Sequence, residues 1–217
     1  TQQQQQYQQL ADAQPAELLA ALAQSDAVWQ REALLRSQQQ RLLNHFEQQI
    51  DTLLSDRRFS YPNYPEIEQI LSQASALYPD SHYLAELSSS LLRSKQTAIE
   101  VLRSQLNQLL LNQQYQPQQD GPDPFNVVQT LRRVDSQYQL QPDASETTVY
   151  IDAFNQAVAA NDAAALQQLI KVGQLVFAND SQAAPLVTQG QQLAAAVDAM
   201  ALYNSQVADG AAADFPY

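Results

Sequence analysis

Three five-residue stretches of the chain follow one order of residue types. They are Leu77-Tyr78-Pro79-Asp80-Ser81, Leu140-Gln141-Pro142-Asp143-Ala144 and Phe177-Ala178-Asn179-Asp180-Ser181. Each runs bulky apolar, any residue, Pro or Asn, Asp, small. The order has a physical reason at each place. The apolar residue closes the core side of one helix. Pro does not extend a helix past its end and suits the turn beyond it. Asp and Ser accept the orphan amides of the next helix, whose positive end favours the carboxylate. Each stretch therefore predicts a corner between two helices. A weaker fourth copy is Ala23-Gln24-Ser25-Asp26-Ala27, followed by Trp29 where the Asp80 corner has Tyr83. The Asp residues lie 54, 63 and 37 positions apart.

Between the corners the pattern is helical. The 217 residues include only 4 Gly, and Gln, Leu and Ala abound. Such side chains lose little freedom in a helix. No stretch alternates apolar and polar residues long enough to predict a strand. A long helix is expected from about 26 to 54, with Val28, Leu35, Leu42, Phe46, Ile50 and Leu53 as its apolar positions. Two prolines and three aromatics in Phe59-Ser60-Tyr61-Pro62-Asn63-Tyr64-Pro65 end it. Pro65 opens a short helix carrying Ile67, Ile70, Leu71, Ala74 and Leu77. A second long helix is expected over 81–113, with Leu84, Leu87, Leu91, Ala98, Leu102, Leu106 and Leu109 on its seam and Lys95 interrupting it. Shorter helices follow: one around Phe125 to Val134, one over 146–159, one to Phe177, and an Ala-rich one over 182–204.

The corners resemble the end of a tetratricopeptide repeat, where an apolar residue, a proline and Asn or Asp close the second helix. Tyr150 to Ser181 is the most similar unit. Phe154 and Ala157 lie in a first helix, Asn161-Asp162 makes the turn, and Leu166, Leu169, Ile170 and Phe177 lie in a second. Its 37-residue spacing is near the family's repeat of about 34. The other units are longer, and the signature Trp, Leu-Gly and Tyr are missing. The resemblance implies an all-α, TPR-like α-solenoid of stacked antiparallel helix pairs with unusually long helices. It spans 15–205, between a Gln-rich segment at 1–14 and a loose tail at 206–217. Helix pairs of this kind stack because none buries its face alone, and stacking leaves a concave surface. The resemblance implies that a protein or peptide binds there.

Charge narrows the partner classes. The net charge is −12 and the pI near 4.3. Phosphate contact needs clustered Lys and Arg, so nucleic acid is not an expected partner. Residues 1–103 hold 8 basic against 12 acidic groups, and 104–217 hold 3 against 11. An electrostatic partner of the second part should be basic. With a mean hydropathy of −0.39 and no apolar run near the ~18–20 residues of a membrane span, direct membrane insertion is not expected. Cysteine is absent, which fits a cytoplasmic or a bacterial envelope setting. Beginning at Thr1 with no Met and no signal peptide, the chain reads as a piece of a longer protein, and its low-Lys, high-Gln composition points to a bacterial one.

No catalytic set stands out, and no cofactor or metal is expected. His45 and His82 fall in different helices, without an acidic neighbour at metal spacing. Asp120-Gly121-Pro122-Asp123 reads as a turn, lacking the oxygens and bidentate Glu of a calcium loop. Glu66 and Glu68 are two apart on a helix and point in different directions. Ser88, Ser89 and Ser90 sit in no nucleophile elbow, and no glycine loop for phosphate is present. The aromatic cluster Phe59, Tyr61, Tyr64, Tyr78 and Tyr83 reads first as a loop stapled onto the solenoid by its own aromatics, and second as a surface for a peptide or acidic segment, because Tyr favours interfaces. Beside it stand Arg57 and Arg58. The candidate partner-binding residues are Arg57, Arg58, Tyr61, Tyr64, Tyr83 and Lys95, the last expected first to snorkel to water, and otherwise to pair with a buried acid or face a groove. The expected function is a non-catalytic protein–protein interaction scaffold. The alternative is a spacer or self-association domain beside a catalytic, sensory or membrane segment.

Overall fold

The computed structural model describes residues 13–24, 28–56, 58–119 and 121–193, without the side chains of 24 and 28–30. The Gln-rich start, the Asp26 corner with Trp29, the end of the last helix and the tail fall outside the described residues. Among those described, every regular element is a helix and no strand occurs, so the fold is all-α. The helices are α1 (Pro15–Gln24), α2 (Val28–Ser37), α3 (Gln39–Leu54), α4 (Tyr64–Leu77), α5 (His82–Leu111), α6 (Pro124–Val134), α7 (Ala144–Ala160), α8 (Ala163–Val176) and α9, described over 184–193. They group into two compact units. Unit 1 is drawn from Thr1–Ala98 and Arg133–Asp135, unit 2 from Ile99–Arg132 and Ser136–Tyr217.

In unit 1, Pro15 starts α1 where its missing N–H costs nothing. Leu18 and Leu22 are buried, and α1 packs on α3. Arg41 of α3 donates to the Ala13 carbonyl at 2.5 Å. The single helix expected over 26–54 is two helices, interrupted at Gln38 (φ −107, ψ 8). The Ser37 hydroxyl bonds back to the Leu34 carbonyl at 3.0 Å, a contact that bends helices. The Gln38-Gln39-Gln40 run offers no apolar side chain to hold the register. The buried residue of α2 is Leu34, with Leu35 half-buried. Leu42, Phe46 and Ile50 recur every fourth residue and form the buried face of α3. That helix packs on α4, which buries Tyr64, Ile67, Leu71 and Ala74. Tyr78 closes α4 and donates to the Leu35 carbonyl at 3.2 Å. At this corner the cap is Ser81, whose hydroxyl accepts Leu84 N–H at 3.4 Å, while Asp80 is exposed. Leu84, Leu91 and Ala98 of α5 complete this part of the core.

Unit 2 takes the remainder of α5, where Leu102, Leu106, Leu109 and Leu110 are buried. α6 adds Val127, Val128 and Leu131. At the start of α7 the expected corner forms a full capping box. Asp143 accepts the amide of Glu146, and the Glu146 carboxylate accepts the amide of Asp143. Such a cap contributes about 1 kcal/mol. Asn161 ends α7 in the left-handed conformation (φ 57) and Asp162 accepts the Ala165 amide, so two residues suffice to turn α7 into α8, and the two helices pack together. Tyr150 is fully buried between them. Its ring stacks on Phe177 at 4.4 Å and meets Tyr115 edge-on at 6.4 Å, and its hydroxyl donates to the Leu169 carbonyl. The third corner also caps as its pattern predicts. Asp180 accepts the amides of Gln182 and Ala183 and the hydroxyl of Thr147. Burial raises the Asp180 carboxyl, but those amides and the hydroxyl together hold it below the ordinary range.

Candidate functional site

Unit 1 carries a loop between α3 and α4 whose side chains are unusually arranged. It starts at the end of α3, where Ser55 bonds back to Asp51. Pro62 and Pro65 keep its far end extended up to the first turn of α4. Asp56 grips Arg58 two residues on: its carboxylate accepts the Arg58 amide at 3.0 Å and the guanidinium at 2.7 to 3.0 Å. That side-chain contact, aided by the backbone one, pulls the Asp56 carboxyl down from 3.8 to about 2. The Arg58 side chain is nevertheless 82% exposed.

Next in the chain is Phe59, a large apolar ring 55% exposed. It lies under Arg133 of α6, whose guanidinium carbon stands 3.7 Å from the ring centre. Arg133 also donates to the Tyr61 carbonyl at 2.7 Å. Among the described residues no carboxylate forms an ion pair with Arg133. Burial lowers its pKa, with Asp56 opposing from a longer distance. Between these groups lies a cavity of about 230 Å³, lined by Leu53, Asp56, Tyr61, Asn63, Glu66 and Arg133 among others. Asn63 donates to Glu66 at 2.8 Å on its rim. The arrangement presents an apolar ring, a guanidinium stacked on it and a pinned charge pair.

The other candidates lie elsewhere. Tyr64 is buried at 3% exposure, with its hydroxyl against Ser94 at 2.8 Å, and Tyr78 is buried at 8%. As the first residue of α4, Tyr64 faces the core with Ile67 and Leu71, so both tyrosines are core residues. Tyr83 is 43% exposed on α5 and donates to Glu47 of α3 at 2.8 Å; it does not line the cavity. Burial, together with Glu47, pushes its hydroxyl up to about 12. Lys95 does not snorkel into open water. Its side chain is 13% exposed and its ammonium lies 2.8 Å from Glu68 and 3.6 Å from Asp135. Arg57 and Asp120 fall outside the described residues. His82 has an acidic neighbour after all, Glu86 one turn on at 3.1 Å, but both are exposed. Among the described residues no group of three or more His, Asp or Glu could hold a metal ion, and no helix is long and apolar enough to cross a membrane. Asp123 forms the turn expected of it, accepting from Gln118 and Asn126.

Sequence reasoning missed Arg133 and Asp56. Asp56 has a local signal, an acid two residues before Arg58 in a loop. Arg133 has none: 72 residues separate it from Tyr61. Compared with protein-family models, with curated proteins and with solved structures, the chain matches none of them.

Proposed function

We propose that the chain is a non-catalytic protein–protein interaction scaffold, a TPR-like stack of helix pairs in which the loop between α3 and α4 meets the partner. The observation that carries this reading is Phe59, half-exposed to solvent and stacked under a guanidinium that makes no ion pair among the described residues. Aromatic rings and arginines are both enriched where partner chains bind. A stacked arginine is already ordered, so less side-chain freedom is lost on binding. The partner segment that fits presents an apolar side chain to Phe59 and a carboxylate to Arg133. The repeated helix corners support the solenoid part of the reading, since units that end alike can stack alike.

The test replaces Phe59 with a photo-crosslinking phenylalanine analogue in the full chain, in its native host. A second chain carries the analogue at Val158, which is exposed at 43%. The scaffold reading expects discrete adducts to another protein from position 59 and none from 158. Adducts at both positions alike, or at neither, would remove it. Adducts only between copies of this chain would instead favour the self-association role.

A further inference from the structure

Arg133 stands over Phe59 with its guanidinium carbon 3.7 Å from the ring centre. Its Nη2 donates to the Tyr61 carbonyl at 2.7 Å, and among the described residues its other N–H groups have no acceptor. A guanidinium holds its five N–H donors in one plane, so a carboxylate meets it at the edge. The cavity beside it offers no second open cation, because both oxygens of Asp56 hold Arg58. Glu66 is exposed on the rim and already accepts from Asn63, so it suits a further N–H donor. The complement of this cavity is therefore one carboxylate with an N–H group beside it. Its volume is about 230 Å³. Pockets that enclose drug-sized ligands span roughly 300–1,000 Å³, so this space suits a single residue.

The closeness of ring and guanidinium selects where in a partner chain that carboxylate lies. In an extended segment neighbouring side chains point to opposite faces, and those on one face are two residues, or about 7 Å, apart. An apolar residue followed by an acidic one in mid-chain thus holds its two groups farther apart than Phe59 and Arg133 stand. A C-terminal residue does not, because its side chain and its carboxylate leave the same Cα. Capture of a terminal carboxylate is a recurring way of binding peptides.

We infer that the loop between α3 and α4 binds the chain end of its partner, a C-terminal residue with a bulky apolar side chain. The terminal carboxylate bonds the edge of Arg133. The side chain lies against Phe59 and Leu53, and the amide of that residue faces Glu66. This inference rests on the reading of the loop as the partner-binding surface, and adds which part of the partner it takes.

The test uses the full chain labelled with nitrogen-15 and three N-acetylated tetrapeptides. The first is three alanines ending in leucine with a free carboxylate. The second is the same peptide ending in an amide. The third places leucine and aspartate in the middle, between alanines, and also ends in an amide. The free acid is expected to shift the Arg133 Nε–H signal saturably. The other two should bind more weakly by about tenfold or more, the scale of a hydrogen bond lost from a charged group. Arg133→Gln should make the acid and its amide bind alike. If Arg133→Gln does not fold, Phe59→Ala, a change at an exposed position, should weaken the acid peptide several-fold with helical circular dichroism unchanged. The inference falls if the acid gives no saturable shift, if the three peptides bind equally, or if the folded variant binds like the parent. It also falls if free leucine binds as tightly as the acid peptide, because the site would then take an amino acid and not a chain end. Protein adducts from position 59 with equal binding of the peptides would remove this inference and leave the scaffold reading. Acid-selective binding without adducts would remove the scaffold reading and leave the chain-end site.

Discussion

The guanidinium of Arg103 closes on the carboxylate of Glu146 through two contacts, at 2.5 and 2.6 Å. Glu146 has no exposed surface, and the same carboxylate accepts from Asn107 and from the amide of Asp143. One residue thus completes a helix cap and ties α7 to α5. Removing the cation alone strands a buried charge, which costs on the order of 3–5 kcal/mol. Arg103→Met should therefore destabilise the chain by about that amount, read from urea unfolding. Adding Glu146→Leu should recover part of the loss, because the stranded charge goes with it, although the cap does not return. A single variant no less stable than the double one would show that the pair is not holding unit 2.

Gly173 gives a prediction of opposite sign to its helix propensity. In an exposed helix Gly→Ala stabilises by up to about 1 kcal/mol. A methyl group at Gly173 would instead run into the Tyr150 hydroxyl and into Val187. It would push Tyr150 from the Leu169 carbonyl and from its stack on Phe177. Overpacking of this kind costs roughly 1–3 kcal/mol, so Gly173→Ala should lower the melting temperature. Tyr150→Phe combined with Gly173→Ala should be less damaged than Gly173→Ala alone, since the clashing oxygen is gone.

The helix corners at Asp143 and Asp180 were legible because capping is a local code: the donors satisfied lie two or three residues from the acceptor. The apolar steps that mark α3, α4 and α5 were legible for the same reason. What escaped was long-range or a competition between near-equal local forms. Nothing near Lys95 announces Glu68 or Asp135, 27 and 40 residues away in the chain. At the break, Gln38 leaves helical geometry beside a serine hydroxyl bonded back to Leu34, and neither feature changes the apolar pattern of the sequence. The aromatic cluster divides, since Tyr64 and Tyr78 lie in the core while Phe59 is exposed. A tyrosine reads alike in both places, because its ring fits a core and its hydroxyl fits a surface.

Tyrosine ionisation offers a global check. Burial pushes Tyr78 and Tyr115 up to about 12, and burial with Glu47 does the same for Tyr83, from an ordinary 10.0. Tyr150 is raised as well, by burial and the neighbouring Tyr115. The sign follows from linkage: a pKa raised on folding favours the fold while the hydroxyl stays protonated. That contribution is complete below about 10 and is lost as pH rises through about 12. An alkaline titration followed by tyrosinate absorbance should show a late group, coinciding with loss of helical circular dichroism. Tyr83→Phe should remove one tyrosine from that group without hastening the unfolding of the rest. A single early step for all tyrosines would contradict the burial of Tyr115 and Tyr150.

The pinned loop can be read by trypsin, because Arg58 is both exposed and held by Asp56. The protease must take a free guanidinium and an extended backbone, and Arg133 restrains that backbone through the Tyr61 carbonyl and the Phe59 ring. Losing a hydrogen bond to a charged group costs roughly 1.5–3 kcal/mol, which is about a factor of ten or more in the open population. Arg133→Met should speed cleavage after Arg58 on that scale while leaving helical circular dichroism unchanged. Asp56→Asn should act in the same direction by freeing the arginine. The acid dependence follows from the depressed carboxyl. The grip contributes fully above the ordinary 3.8, and persists until pH falls through about 2. Proton exchange at the Arg58 side chain, followed by nuclear magnetic resonance on the way down, should rise only in that lower range. A rise already complete at the ordinary carboxylate pKa would show that Asp56 does not hold Arg58 in solution.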